Sequence, residues 1–249
     1  MNILITGAQS FLGQAIITEL MPKHRLRLWG SGTFAGDNVE WINGDMRDPN
    51  LAWSAVRGID VIVHTGEPPD DLPEDALAKE QMVLDFATRG THVLFKAGVD
   101  AGVKRFVYGS TLEIMASYPD DVYISELWRP RPVPEMFSLS RYLGELTARE
   151  FAREHLVAVT ALRFGKLVTE EDVVHQMPDL MWLDVRDAAR AVRFSIDREA
   201  SLEPNFRRRW ALHHICANIP NGKYLVASGG WNALSGFKPE HNFERGSAV

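Results

Sequence analysis

The stretch Asn2-Ile3-Leu4-Ile5-Thr6-Gly7-Ala8-Gln9-Ser10-Phe11-Leu12-Gly13 decides how this chain folds. Asn2 to Thr6 is an aliphatic, β-branched run that stops at a glycine, and continuous apolar strands of this kind belong to sheets buried on both faces. From Phe11 to Met21 the pattern turns helical. A glycine at the strand exit permits a tight turn, and the following helix presents free N–H groups and the positive end of its dipole to a pyrophosphate. Gly13 lets the helix pack closely on the strand. Two glycines at this spacing mean little alone; the strand before them and the helix after them give the pair its sense. A plain strand–turn–helix corner is the competing reading. The opening apolar run has no basic residues ahead of it and breaks at Thr6-Gly7, so it reads as a strand and not as a leader peptide.

Similar runs recur at Arg25–Trp29, Val39–Ile42, Asp60–His64, Arg105–Tyr108 and Val157–Leu162, with helical stretches at Phe11–Met21, Asn50–Arg57, Pro73–Gly98, Glu135–Glu154 and Asp187–Asp197. Strands alternating with helices imply βαβ units and a parallel sheet. Right-handed crossovers then favour an α/β, Rossmann-type doubly wound sheet with helices on both faces, whose ligands bind beyond the carboxyl ends of the strands. No internal repeat or low-complexity segment interrupts the pattern. Val168 to Leu180 and the chain beyond Glu199 read as irregular or mixed, and Ser228-Gly229-Gly230 and the last six residues read as loose. The expectation is a single domain over residues 1–249, with a reduced, small C-terminal substrate lobe from about 166–181 and 199–249.

Composition narrows the function. The 249 residues are 45% hydrophobic and 24% charged, as in ordinary globular proteins. Lys and Arg number 27 against 33 Asp and Glu, a net charge of −6 that leaves no basic excess for a nucleic-acid backbone. The single cysteine, Cys216, excludes an internal disulfide and a cysteine-based zinc cluster and suits a reducing compartment. No window reaches the roughly 20 apolar residues a membrane helix needs. A cytoplasmic protein with neither membrane nor nucleic-acid partner is expected.

Thr6-Gly7-x-x-Ser10-x-x-Gly13 resembles the Thr-Gly-x-x-Gly-x-x-Gly of the extended short-chain dehydrogenase/reductases, the NAD-dependent epimerase/dehydratase group, with Ser10 in place of the middle glycine. Further landmarks follow in the family's order: Gly44-Asp45-Met46-Arg47-Asp48, Val61-Ile62-Val63-His64-Thr65-Gly66, Ala101 to Thr111, Leu162-Arg163-Phe164-Gly165 and Leu183 to Asp187, with Gly236-Phe237-Lys238-Pro239 as a C-terminal echo. The resemblance implies a nicotinamide dinucleotide held by Gly7, Gln9, Ser10, Phe11, Leu12 and Gly13 at its diphosphate and by Ser31 at the adenosine ribose. It places Asp45 and Met46 at the adenine, and His64, Thr65 and Gly66 at the strand end beside it. Ser10 crowds the backbone's approach to the diphosphate, while its hydroxyl offers that group a hydrogen bond.

The family's catalysis normally uses Tyr-x-x-x-Lys, two side chains one helical turn apart, in which the ammonium lowers the phenol pKa for proton exchange. Ser140-Arg141-Tyr142-Leu143-Gly144-Glu145 resembles the continuation of that motif, which sets Phe137 at the tyrosine and Arg141 at the lysine. Phenylalanine has no exchangeable proton, and arginine stays charged while able to hydrogen-bond a ribose hydroxyl. Thr111, beside Ser110, fills the role of the hydroxyl that polarises the substrate oxygen. Tyr142 would need a register slip of five residues. Tyr118 and Tyr123, in the loop after Thr111, are the candidate substitute acids. Glu113 stands where dehydratase relatives carry an acid/base glutamate, but Leu112 replaces their aspartate, and a solvated carboxylate is the favoured reading. His213-His214 alternate across a strand and make a poor metal pair, so no metal is expected.

The second strand's end, Leu28-Trp29-Gly30-Ser31-Gly32, lacks the acid that usually holds the ribose of NAD, which tilts the choice of NADP or NAD slightly toward NADP. The leading expectation is an atypical reductase or dehydrogenase that moves hydride to or from a carbonyl/alcohol carbon of a small or flat substrate without the usual relay. A non-catalytic dinucleotide-binding sensor or scaffold is the alternative, and a sugar-nucleotide epimerase the third reading, disfavoured by the short lobe. By resemblance the helices Pro73–Gly98 and Glu135–Glu154 imply a homodimer.

Overall fold

Strand β1 (Asn2–Thr6) feeds helix α1 (Phe11–Leu20), then β2 (Arg25–Trp29), β3 (Val39–Ile42), α2 (Pro49–Val56) and β4 (Val61–His64). Next come α3 (Ala76–Asp85), α4 (Thr91–Asp100), β5 (Arg105–Thr111), α5 (Met136–Glu154) and β6 (Ala158–Phe164). The short strands β7 (Lys166–Val168) and β8 (Trp182–Asp184), helix α6 (Val185–Asp197) and β9 (Trp210–Ile215) complete the order. This computed structural model describes residues 1–32, 34, 36, 38–69, 71–177, 179–198, 205, 209–218, 234 and 236–243. The loose segments expected at Ser228-Gly229-Gly230 and at the last six residues, with most of the lobe expected over 199–249, lie outside them.

Seven strands form one parallel sheet in the order β3-β2-β1-β4-β5-β6-β9, with β7 and β8 paired separately. The period-2 alternation of β1 sends Ile3 and Ile5 to one face and Leu4 to the other. Ile16 and Leu20 of α1 and Ala188 and Val192 of α6 cover the first face. Ala52 of α2, Phe95 of α4, and Ala148 and Phe151 of α5 cover the second, around Phe106 and Tyr108. Among the described residues, side-chain caps start every α-helix but α4: Ser10 on α1, Asp48 followed by Pro49 on α2, Asp75 on α3, Glu135 on α5 and Asp184 on α6.

Two expectations change. The helix read from Pro73 to Gly98 begins only after the Asp75 cap and is divided by a π-helical turn, Phe86–Gly90. That turn lets Gly90 come down against Met46, where a Cβ would press on the methionine methyl. In the segment read as lobe, Trp210–Ile215 instead extends the main sheet beside β6. The strand read around His213-His214 is thus the sheet's edge, next to β6.

Several polar groups inside the sheet are matched to one another. Arg163 donates twice to the Glu145 carboxylate, at 2.6 and 3.0 Å, and Ser110 donates to the same group at 2.7 Å. His64 lies fully buried, hydrogen-bonded to Thr6 (2.7 Å) and Thr91 (3.0 Å). Burial drives the pKa of His64 and His214 down to about 3 and of His213 to about 4, with Arg141, Arg163 and Arg198 adding repulsion respectively. Histidines kept neutral by the fold take up protons on unfolding whenever the pH lies below their free value of about 6.5. Stability is therefore fully present above that pH and declines from about 6.5 toward 4, by about 1.4 kcal/mol per pH unit for each proton taken up. Denaturant unfolding curves recorded from pH 8 to 5 test this; a free energy independent of pH below 6.5 contradicts the burial of neutral imidazoles.

Candidate active site

The carboxyl ends of β1, β2, β4 and β5 open onto one crevice, and the turn after β1 forms its floor. Gly7 adopts φ +63°, a left-handed backbone that glycine takes without strain, and a Cβ there would collide with Thr65 Oγ1. A Cβ on Gly13 would strike the Gly7 carbonyl oxygen. Ser10 caps α1: its hydroxyl donates to the Gly7 carbonyl at 2.8 Å and accepts the Gly13 N–H at 3.0 Å. That proton is thus committed inside the turn and is not offered outward. The N–H groups of Phe11 and Leu12, first in the helix, have no acceptor in the helical ladder and face the mouth of the crevice with the positive dipole end.

Two cavities flank the turn. The first, of about 230 Å³, lies over the ends of β1 and β2 and is lined by Gly7, Gln9, Ser31, Asp45 and Met46 among others. Arg47 donates to both Asp45 oxygens and to Asp85 at 2.9 Å, which holds the Asp45 carboxyl below its usual range. The Gln9 carboxamide lies over Gly30 with a buried oxygen that has no partner among the described residues.

The second cavity, of about 330 Å³, opens at the ends of β5 and β6 and is lined by Thr65, Thr111, Glu113, Phe137, Arg141 and Lys166, with Phe11 and Leu12 on its inner wall. Thr111 Oγ1 accepts the Glu113 N–H at 3.2 Å, so its own proton is free to be donated. Phe137 and Arg141, one turn apart on α5, face this space together, and the guanidinium sits 5.1 Å from the phenyl centroid. Arg141 is buried: it donates to the Thr65 carbonyl at 2.9 Å and pairs with Glu67 at 2.7 Å. Glu67 lines both cavities and marks the waist between them.

Residues 3–181 match the family model described as the NAD dependent epimerase/dehydratase family. The chain belongs to that family. It is 24% identical to an NAD-dependent glucose-6-phosphate dehydrogenase of Haloferax volcanii, over 81% of this chain and 82% of that protein. It is 26% identical to an L-arabinose 1-dehydrogenase (NAD(P)(+)) of the same organism, over 97% of both. A uronate dehydrogenase from Agrobacterium tumefaciens, solved as a mutant complexed with NAD, superposes with a TM-score of 0.78 at 20% identity, covering 97% of this chain and 85% of that one. At that identity the superposition speaks for the fold.

Family membership makes a nicotinamide dinucleotide the group to test against the crevice, and the residues fit it. The cradle at Gly7 and Gly13 admits no side chain, the first amides of α1 have no acceptor in the helical ladder, and Gln9, whose buried oxygen has no partner among the described residues, lines the same groove. Of the residues singled out in the sequence, Gly7, Gln9, Ser31, Asp45 and Met46 line the first cavity and Phe11, Leu12, Thr65, Thr111 and Arg141 the second. Gly66 borders a neighbouring cavity behind Arg141. His64 is not at the surface of the crevice, because burial between Thr6 and Thr91 gives it a structural place behind the site. Tyr118 and Tyr123 are not brought to Thr111. The Tyr118 hydroxyl donates to the Arg129 carbonyl at 2.8 Å with its ring against Trp128, and Tyr123 projects outward, 63% exposed. Tyr142 packs on the cluster around Leu112 and Ile114, away from Phe137. Sequence reading missed Glu67, Arg47 and Lys166; the polar run right after His64 was the available signal for Glu67. Among the described residues no group of three or more His, Cys, Asp or Glu gathers as a metal site requires, and no helix is long and apolar enough to cross a membrane.

Replacing Gly13 by Ala forces α1 off the β1 exit, lowering stability by about 1–3 kcal/mol and removing dinucleotide binding. Ser10→Ala loses only the cap, about 1 kcal/mol, and retains binding. Thermal melts with calorimetric titration of both variants check this, and full binding by Gly13→Ala contradicts it.

Proposed function

We propose that this protein is an NAD-dependent dehydrogenase acting on an alcohol or hemiacetal carbon of a small polyhydroxylated substrate, of the monosaccharide class. The observation that carries the reading is the second cavity. It is of monosaccharide size, Thr111 lines it, and so do Phe11 and Leu12 at the start of α1, so substrate and dinucleotide would share one space. Two relatives that cover most of the chain are named as dehydrogenases of glucose 6-phosphate and L-arabinose, which supports the sugar class.

A bound nicotinamide dinucleotide supplies the hydride acceptor in oxidation and the donor in reduction. Phe11 and Leu12 amides hold its diphosphate, Asp45 accepts from the adenine amino group, and Ser31 meets the adenosine ribose. Thr111 donates its free hydroxyl proton to the substrate oxygen and orients it. Arg141, fixed by Glu67 and the Thr65 carbonyl, keeps the waist of the groove in shape and offsets the Glu67 charge near the diphosphate. Phe137 occupies the position where a phenol would have exchanged the proton, and closes the cavity with an apolar wall.

Against the slight lean to NADP drawn from the end of β2, the lining of the first cavity supports NAD. Arg47 is the cation lining it among the described residues, and two carboxylates already engage it, so a ribose 2′-phosphate would meet little uncompensated positive charge. The missing proton at Phe137 favours the second reading, a dinucleotide-binding protein without catalysis. Parallel calorimetric titrations and a turnover screen with aldoses and uronic acids separate the two. The expected result is NAD binding at least about tenfold tighter than NADP, about 1.4 kcal/mol, together with reduction of NAD by a sugar. Tight NAD binding without turnover across the panel supports the non-catalytic reading instead.

A further inference from the structure

Resting on the dehydrogenase reading, we infer that Glu113 is the group that exchanges the substrate's hydroxyl proton, in the place that Phe137 leaves without an acid. The 3₁₀ turn Leu112–Met115 that follows β5 is anchored by Leu112, Ile114 and Met115, all fully buried. Glu113 is the member of that turn that lines the cavity, and its backbone N–H bonds Thr111 Oγ1, which fixes the start of the turn next to the hydroxyl proposed to hold the substrate oxygen.

The other titratable groups on the cavity wall are engaged. Glu67 is paired with Arg141 at 2.7 Å, Arg141 stays charged and is also bonded to the Thr65 carbonyl, and Lys166 is paired with Asp179 at 2.6 Å. The Glu113 carboxylate has neither a hydrogen bond nor an ion pair among the described residues, and half-burial raises its pKa from the ordinary glutamate value. The charges facing it are Lys166 and Arg141, which oppose that rise, and Glu135 and Asp179, which add to it. A carboxyl whose pKa is raised by burial is suited to both halves of a proton exchange.

In oxidation the substrate O–H proton passes to a Glu113 oxygen while the carbon's hydrogen leaves with its bonding pair as hydride to the nicotinamide dinucleotide. The carbon–oxygen double bond forms, and Glu113 returns its proton to water. In reduction the same steps reverse, the carboxylic acid supplying the proton. Oxidation therefore needs the carboxylate and falls as pH drops through the Glu113 pKa, whereas reduction needs the acid and falls as pH rises through it.

The test compares wild type with Glu113→Gln and Glu113→Asp. Carboxyl carbon NMR titration of protein labelled at glutamate should show a resonance titrating above the ordinary glutamate range of about 4.3, absent from Glu113→Gln. Calorimetry should show NAD affinity preserved in Glu113→Gln, so that loss of activity is not loss of cofactor. With a sugar that wild type oxidises, Glu113→Gln should lower kcat by about 10²–10⁴-fold with little change in KM and abolish the acidic limb of the pH profile, and Glu113→Asp should restore part of the rate. A Glu113→Gln kcat within about threefold of wild type, or a Glu113 carboxyl titrating at or below the ordinary value, overturns the assignment alone. Wild-type protein that binds NAD but turns over no substrate overturns the dehydrogenase reading and this assignment with it.

Discussion

The first turn of α1 rests directly on the exit of β1, with the Gly13 backbone against the Gly7 carbonyl and no room for a side chain between them. This contact sets how far α1 stands from the sheet, and so where its free amides point. Ser10 holds the geometry by bonding to both glycines. The two cavities inherit their common wall from this corner. Gly7, Gln9 and the β2 end shape one, and Phe11 and Leu12 back the other. Were α1 displaced, the amides would lose their aim and Thr111 would face a space without a hydride partner.

Charge is arranged around that corner with equal economy. Glu67 places a carboxylate beside the phosphate turn, where an anionic diphosphate would be repelled, and Arg141 neutralises it from α5. The same arginine is fastened to the Thr65 carbonyl, which ties α5 to the β4 end. Behind them Ser110, Glu145 and Arg163 form a satisfied buried network that fixes the end of β5, and with it Thr111. Breaking such a network by removing one partner leaves an uncompensated charge, a cost of about 3–5 kcal/mol.

Much of this was legible in the chain. Apolar runs located β1 to β6, the glycine turn located the crevice, and the one-turn spacing put Phe137 and Arg141 on a common face. The misses have physical causes. A π turn adds a single residue to a helix and barely disturbs its periodicity, so the break at Phe86–Gly90 was invisible. β7 and β8 are too short for a period, and the strand carrying His213 and His214 was legible by alternation while its place beside β6 in the main sheet was not. Tyr118 and Tyr123 sit in a loop whose direction no periodicity specifies. Glu67 became visible only when the topology set the ends of β4 and β5 side by side, and Glu113, which reads in the sequence as a solvated carboxylate, lines the Thr111 cavity.

The central claim is that the glycine corner and the Thr111 cavity form one continuous site for a dinucleotide and a sugar. A crystal structure of the protein with bound NAD tests it most directly. The account predicts the diphosphate on the Phe11 and Leu12 amides, the adenine beside Asp45, and the nicotinamide ring within the cavity of Thr111, Glu113 and Phe137. A dinucleotide bound elsewhere, or with its nicotinamide outside that cavity, would contradict it.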